Sequence, residues 1–196
     1  MYGFKVIDKL IHEYEFNTVL DIGCGKGLHS KIFKLVDKDV TGVDICEGDH
    51  IKGDYMDTPF DTQFDLIWLC HVLEHQNNIG NFLSKIFNDL KDGGILAITV
   101  PPLKHSIVGG HVCLWNAGLL LYNLILAGFD CSEARIKQYD YNISIIVEKK
   151  KAKLPALLHD HGDINRLSCY FPNGLKERFD GNITELNWEN SGRDNE

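Results

Sequence analysis

Apolar positions recur with two alternating periods along this chain. Over residues 4–14, Val6, Ile7, Leu10 and Ile11 fall on one face of a 3.6-residue repeat, which predicts an amphipathic helix. The next apolar run, 18–22, is short and stops at a glycine cluster, as a buried strand does. The pattern then predicts a helix over 28–35, a strand over 40–43, a short strand near Ile51 and a strand over 64–69. A helix over 81–90 closes at the Asp92-Gly93-Gly94 turn, and a strand over 95–100 is stopped by Pro101-Pro102. A helix over 114–127 takes Gly128 as its C-terminal cap. Two runs, 134–139 and 142–147, flank Asp140-Tyr141 and predict an antiparallel hairpin. Strands alternating with helices imply an α/β, doubly wound, mainly parallel sheet covered on both faces. In such sheets ligands bind at the carboxyl ends of the strands, so chemistry is expected in the loops that follow them. Residues 1–150 read as this domain. Residues 151–196 read as an appended tail, which packs up to about Trp188 and then frays.

Composition narrows the function classes. The 196 residues are 44% hydrophobic and 24% charged, as in one ordinary globular domain. With 20 Lys and Arg against 28 Asp and Glu, the formal charge is −8, which makes nucleic acid a poor default partner. The Lys149-Lys150-Lys151 run reads as the solvated end of a strand. No apolar stretch is long enough for a membrane span, and the first residues lack a signal-peptide core, so a cytoplasmic protein is expected. The six cysteines are scattered, with no C-x-x-C, and read as free thiols.

The first predicted strand runs into Asp21-Ile22-Gly23-Cys24-Gly25-Lys26-Gly27. Glycines between a strand and a helix let backbone approach a ligand without a Cβ in the way. A dinucleotide fingerprint would need a third glycine where Leu28 stands, and the Lys-Ser/Thr of a triphosphate loop is missing. Asp21 at the loop entrance would repel a pyrophosphate and suits a ligand bearing an ammonium or sulfonium group. The second strand ends in Asp44-Ile45, where a carboxylate can accept from two ribose hydroxyls. In the next loop, Gly53-Asp54-Tyr55, a carboxylate can accept from an adenine amino group and a neighbouring backbone N–H can donate to the ring. Adenosine with a cationic amino-acid tail describes S-adenosylmethionine.

From about Thr18 to Val147 the chain resembles the class I S-adenosylmethionine-dependent methyltransferases. The motifs TVLDIGCGKG, TGVDI, GDYMDTPF, FDLIWLCHVLEH and LKDGGILAITVPP stand in the family's order. The resemblance implies a Rossmann-like, seven-stranded sheet whose last strand is antiparallel. It implies that Asp21, Gly23, Cys24, Gly25 and Gly27 surround the methionine part of the cofactor. Asp44 would hold the ribose, Ile45 flank the adenine, and Asp54 and Tyr55 contact the adenine edge. Cys70 and His71 would line the wall near the methyl group. Glu74 and His75, in the family's LEH signature, are expected to fix the loop.

Methyl transfer is an in-line displacement that requires alignment and exclusion of water. An alcohol acceptor must also lose a proton, for which histidine is suited. His71, His75, His105 and His111 fall in the relevant loops, and His111 is the favoured catalytic residue, because it lies between the post-strand loop and the following helix. It could act as a base, position substrate or serve structure. With about 17 residues ahead of the first strand, the acceptor pocket is expected from residues 101–113 and the tail. O-methylation of a small molecule or a sugar or glycan is the leading function. Cys70-His71-Val72-Leu73 stands where amide and adenine N-methyltransferases carry Asn/Asp-Pro-Pro-Tyr/Phe. No paired-carboxylate metal site follows the strands, so no metal is expected. His159-x-His161, with rings on one face of a strand, is a weaker candidate for a metal site. Two alternatives stay open. One is a non-catalytic cofactor-binding subunit or pseudoenzyme that regulates a partner. The other is a nicotinamide-dependent oxidoreductase, against which Leu28 counts.

Overall fold

A computed structural model describes residues 2–189. Helix α1 (Phe4–Glu13) leads into β1 (Thr18–Ile22), α2 (Leu28–Leu35), β2 (Asp39–Asp44) and the two-residue β3 (Ile51–Lys52). Then follow β4 (Phe64–Cys70), α3 (Ile79–Asp89), β5 (Leu90–Val100), α4 (Ala117–Leu126), β6 (Arg135–Tyr139) and β7 (Asn142–Glu148). The remaining described residues add a single turn, α5 (Asp163–Arg166), and β8 (Glu185–Leu186).

The sheet order is β3-β2-β1-β4-β5-β7-β6-β8. Strands β1 to β5 pair in parallel, β7 runs antiparallel to both β5 and β6, and β8 pairs antiparallel with β6. Seven strands therefore stand as the resemblance implied. The eighth, unforeseen, is a tail segment that covers the open edge of β6, where unpaired backbone groups would otherwise face water.

Two apolar layers flank the sheet. One gathers Val6, Ile7 and Leu10 of α1 and Phe33 of α2 against Val19, Trp68 and Ala97. The other gathers Phe82, Leu83 and Ile86 of α3 and Leu120, Leu121 and Leu124 of α4 against Leu20, Ile67 and Ile98. Strands β4 and β5 are buried on both faces, which explains their near-continuous apolar sequence.

Local chemistry moved three boundaries. Helix α4 begins at Ala117, three residues later than predicted, because the Asn116 side chain caps it by accepting from Leu119 N at 2.7 Å. Asp92-Gly93-Gly94 lies inside β5, where Leu90 pairs with Phe64 but Ile95 with Leu66, and Gly93 takes a positive φ of 76° in the irregularity. Lys149 is no solvated strand end. Its ammonium is buried, donates to Leu90 O at 2.6 Å and lies 3.1 Å from Asp92.

The tail is part of the packing. Leu167 and Phe171 enter the α3–α4 layer, and Trp188 enters the α1–α2 layer. The predicted fraying beyond Trp188 falls largely outside the described residues. Among the described residues no helix is long and apolar enough to cross a membrane.

Candidate active site

Four parallel strands deliver their carboxyl ends to one edge of the sheet: β1 at the glycine loop, β2 at Asp44, β4 at Cys70 and β5 at Val100. The loop after β1 is bound to β2 through Gly23 N and Cys24 N, both donating to Val43 O. Gly23, Gly25 and Gly27 all have positive φ, at 69°, 52° and 71°. Their surroundings differ. A Cβ on Gly23 would stand 2.3 Å from Val72 Cγ2, so this glycine serves close packing against the loop after β4. A Cβ on Gly25 or Gly27 would meet nothing within 4 Å, so these two border open space that a ligand can fill.

Asp44 lies across that loop. Its Oδ2 accepts from Gly25 N and its Oδ1 from Cys46 N, each at 2.8 Å. Burial pulls its carboxyl upward, but the Cys46 and Gly25 amides outweigh it and hold the group below its ordinary value. Each carboxylate oxygen accepts two bonds, so ribose hydroxyls could still be received. Ile45 beside it is 70% exposed, an apolar surface of the kind that covers one face of a purine.

Asp21 is 1% exposed and accepts from the Ser30 hydroxyl on α2. Burial pushes its carboxyl up to about 6, and the nearby Asp44 charge adds to this against the Ser30 bonds. A buried acid so placed is relieved by a neighbouring cation, which fits the ammonium end of S-adenosylmethionine. Cys24 packs its Sγ on Gly42, and burial raises its thiol to about 12, so its side chain fills space without supplying a thiolate.

Asp54 is exposed, with Oδ1 accepting from Met56 N at 2.9 Å. The Tyr55 side chain takes no part in this face. Its ring is buried against Phe82 and Phe60, and its hydroxyl donates to Asp89 at 2.7 Å on α3. The Lys85 ammonium lies 4.5 Å from the ring centroid. The phenol is thus committed to the core, and only the backbone of Tyr55 is left for an adenine edge.

The loop after β4 joins the two halves of the site. Burial raises the Cys70 thiol to about 12, helped by the Glu74 and Asp21 charges. His71 takes a positive φ of 58° and is pinned at both ring nitrogens, Nδ1 to Glu74 Oε1 and Nε2 to Asn142 Oδ1, each at 3.1 Å. Tyr2 and Tyr141 flank its ring, with centroids at 4.4 and 6.0 Å. Glu74, the next anchor, is fully buried, and its carbonyl accepts from Val112 N at 2.9 Å. His75 Nδ1 contacts Gly110 O at 2.8 Å. The segment holding His111 is therefore tied down through Glu74 and His75, a link that the sequence had suggested only as loop fixing.

His111 lines a pocket of ≈180 Å³ together with Pro101, Pro102, Ile107, Val108 and Tyr141. No tail residue lines it among those described, because the tail buries its apolar groups beside α4 instead. The tail histidines do not form a strand pair either. The His159–Asp163 segment is a loop in which Asp163 accepts from the amides of Leu158, His159 and Asp160. A wider groove of ≈1130 Å³, lined by polar groups such as Glu13, Glu133 and Arg135, opens at the other end of β6 and β7. It contains none of the motif residues, so the smaller pocket is the one placed for chemistry.

Known proteins share the domain and the fold. The sequence profile of a methyltransferase-domain family matches residues 3–161. A ubiquinone biosynthesis O-methyltransferase from Bradyrhizobium is 31% identical over 97 residues, covering 41% of this chain and 38% of that protein. The chain thus matches well under half the length of that relative. The fold matches a Burkholderia thailandensis 1,6-didemethyltoxoflavin-N1-methyltransferase, solved with S-adenosylhomocysteine, at a TM-score of 0.61 and 16% identity, over 75% of this chain and 78% of that one. It also matches a SAM-dependent methyltransferase from Archaeoglobus fulgidus at 0.62 and 19% identity, over 74% and 93%. The chain belongs to the class I S-adenosylmethionine-dependent methyltransferase-domain family.

Proposed function

We propose that this protein transfers a methyl group from S-adenosylmethionine to a hydroxyl oxygen of a small-molecule acceptor, sugars included. The observation that carries this reading is the convergence at one sheet edge. The open cradle at Gly25 and Gly27, with Asp44 across it, is joined through the loop 70–75 to the pocket that His111 lines. The curated relative from Bradyrhizobium, named an O-methyltransferase, supports oxygen as the target.

The cofactor supplies a methyl group on a sulfonium sulfur. Asp44 receives ribose hydroxyls while its bonds to Gly25 and Cys46 hold the loop in place. Asp21 offsets the ammonium charge, Ile45 covers the adenine and Asp54 with the Tyr55 backbone meets its edge. Gly23, with Cys24 beside it, keeps the loop close to Val72. His71 and Cys70 form a wall near the methyl group. His71, with both ring nitrogens engaged, shapes that wall without handling protons. His111 is the group that deals with the acceptor proton. The apolar part of the pocket lining, with Pro101, Pro102, Ile107 and Val108, gives the acceptor a surface to pack on. The net charge of −8 and the free thiols at all six cysteines support a cytoplasmic small-molecule enzyme over a nucleic-acid one.

The test is incubation with S-adenosylmethionine and a panel of phenols, catechols and sugars, with S-adenosylhomocysteine release and one added methyl read by mass spectrometry. Turnover with a hydroxyl acceptor, reduced in His111→Ala while cofactor affinity is kept, is the expected result. Binding of the cofactor without turnover over the whole panel would overturn the enzymatic reading. Methylation at nitrogen alone would overturn the oxygen assignment.

A further inference from the structure

Glu74, His75 and His111 each present one ligand atom, and these atoms lie within 4.8 Å of one another. The three residues come from two separate loops, one after β4 and one after β5, and one of them, His111, also lines the acceptor pocket. Resting on the methyltransferase reading and deepening it, we propose that these three residues form a site for a divalent cation of the zinc class, which holds the acceptor hydroxyl.

The carboxylate is arranged as a ligand would be. Glu74 is 0% exposed, and its Oε1 is occupied by His71 Nδ1. Its Oε2 is buried with no hydrogen-bond partner. Buried polar atoms are almost always satisfied, so an orphaned carboxylate oxygen in this cluster calls for a partner that the protein itself does not provide. A cation is that partner, and the His71 bond orients the carboxylate from behind in the manner of an outer-shell contact.

His75 is prepared in the same way. A carbonyl only accepts, so the contact with Gly110 O requires the proton on Nδ1. In the neutral ring the lone pair is then on Nε2, which lies 3.9 Å from Glu74 Oε1. A ligating histidine has this pattern, one nitrogen bonded to a backbone carbonyl and the other turned to the metal. The His111 ring stands edge-on to that of His75, with centroids 5.0 Å apart. Zinc sits about 2.0–2.2 Å from nitrogen and oxygen ligands, which sets tetrahedral ligand atoms about 3.4 Å apart. The 3.9 Å between His75 Nε2 and Glu74 Oε1 is already near this value, and rotation of the His111 side chain, which is not buried, covers the remaining difference.

Two imidazoles and one carboxylate suit a borderline cation, and three protein ligands leave a coordination position open on the pocket side. An acceptor hydroxyl at that position would be polarised, and its proton would be lost to bulk solvent as the oxygen binds the cation. His111 would then act on the acceptor proton through the cation it ligates, in place of accepting that proton itself. This reverses the expectation of no metal, which came from seeking paired carboxylates after the strands.

The test is titration of the chelator-treated full chain with Co²⁺ alone, followed by visible absorption, together with calorimetry of Zn²⁺ and, separately, of S-adenosylhomocysteine. The expected result is one Co²⁺ per chain with the intense bands of a low-coordinate nitrogen and oxygen site, no sulfur charge-transfer band, and displacement by Zn²⁺. His111→Ala and His75→Ala should each weaken Co²⁺ at least tenfold. The doubly substituted His159→Ala, His161→Ala chain should bind as the wild type does. Glu74→Gln should also lose the cation, and because Glu74 is buried, the two more accessible histidine variants keep the test valid if that chain misfolds. No Co²⁺ bands in the wild type, a thiolate band, or undiminished binding in His111→Ala would overturn the proposal. Since S-adenosylhomocysteine is measured without metal, loss of metal binding with cofactor binding intact defeats this inference alone. Loss of cofactor binding defeats the methyltransferase reading instead.

Discussion

Replacing Asp44 with alanine tests the cofactor assignment at its most exposed point. In the free protein the carboxylate accepts two backbone amides at 2.8 Å, one of which, Gly25 N, belongs to the glycine loop. Removing it releases that loop and deletes the acceptor for the ribose hydroxyls. Hydrogen bonds to a charged group contribute about 1.5–3 kcal/mol each. In the free protein the released amides can turn to water, so the fold itself should lose only about 1 kcal/mol. In the complex the ribose has no such substitute, and S-adenosylhomocysteine affinity should fall by about 1.5–3 kcal/mol, or roughly 10- to 100-fold. Asp44→Asn keeps one acceptor oxygen without the charge and should fall between. Calorimetry with S-adenosylhomocysteine, which cannot turn over, reads the affinity, and a thermal melt reads the fold. An unchanged dissociation constant in an Asp44→Ala chain that melts as the wild type does would refute the ribose assignment and the account of the loop together.

The three glycines should separate by mechanism. Gly23→Ala should cost about 2–4 kcal/mol of stability, from the Val72 clash and the left-handed φ, whereas Gly25→Ala should cost about 1–2 kcal/mol from φ alone and yet weaken S-adenosylhomocysteine. Equal melting temperatures for the two would contradict this. Asp21, raised to about 6 from 3.8, contributes stability that is complete below pH 3.8 and lost as pH rises through 6. About two units correspond to roughly 3 kcal/mol. Asp21→Asn should therefore gain on the wild type in urea melts between pH 4 and pH 7, while its affinity for the ammonium-bearing cofactor falls; a constant difference across that range would remove the buried-acid argument. Tyr55→Phe should leave cofactor affinity unchanged and cost about 1 kcal/mol of stability for the lost bond to Asp89. A drop in affinity would restore the phenol to the adenine edge.

What the sequence made legible follows from periodicity and punctuation. The helix predicted over 28–35 is α2 to the residue, and seven strands fall where the apolar runs put them. Side chains that act at a distance along the chain were harder to see. Nothing in the Lys149-Lys150-Lys151 run distinguishes the buried ammonium from its neighbours, because its partner, the Leu90 carbonyl, is 59 residues away. The side chain of Tyr55 was hidden for the same reason: the sequence offers its backbone N–H to an adenine edge, and only the fold brings Asp89 within reach of its hydroxyl. The strand β8 has just two residues, too few to show a period.

The LEH segment shows why the candidate site was legible only in part. Its glutamate and histidine were assigned to holding the loop, and they do hold it, through Val112 N on the Glu74 carbonyl and the Gly110 contact of His75. Those bonds use the backbone of Glu74 and one nitrogen of His75, and leave Glu74 Oε2 and His75 Nε2 unspent. For a buried group such as the Glu74 carboxylate, a structural role is a full account only if its polar atoms are engaged, since a buried acceptor left over carries a free-energy cost of about 1–3 kcal/mol or more. That cost falls here on a carboxylate clustered with His75 and with His111, which lines the pocket. Spacing in the sequence can suggest which residues meet, but it takes the atoms to show which of them are still without a partner.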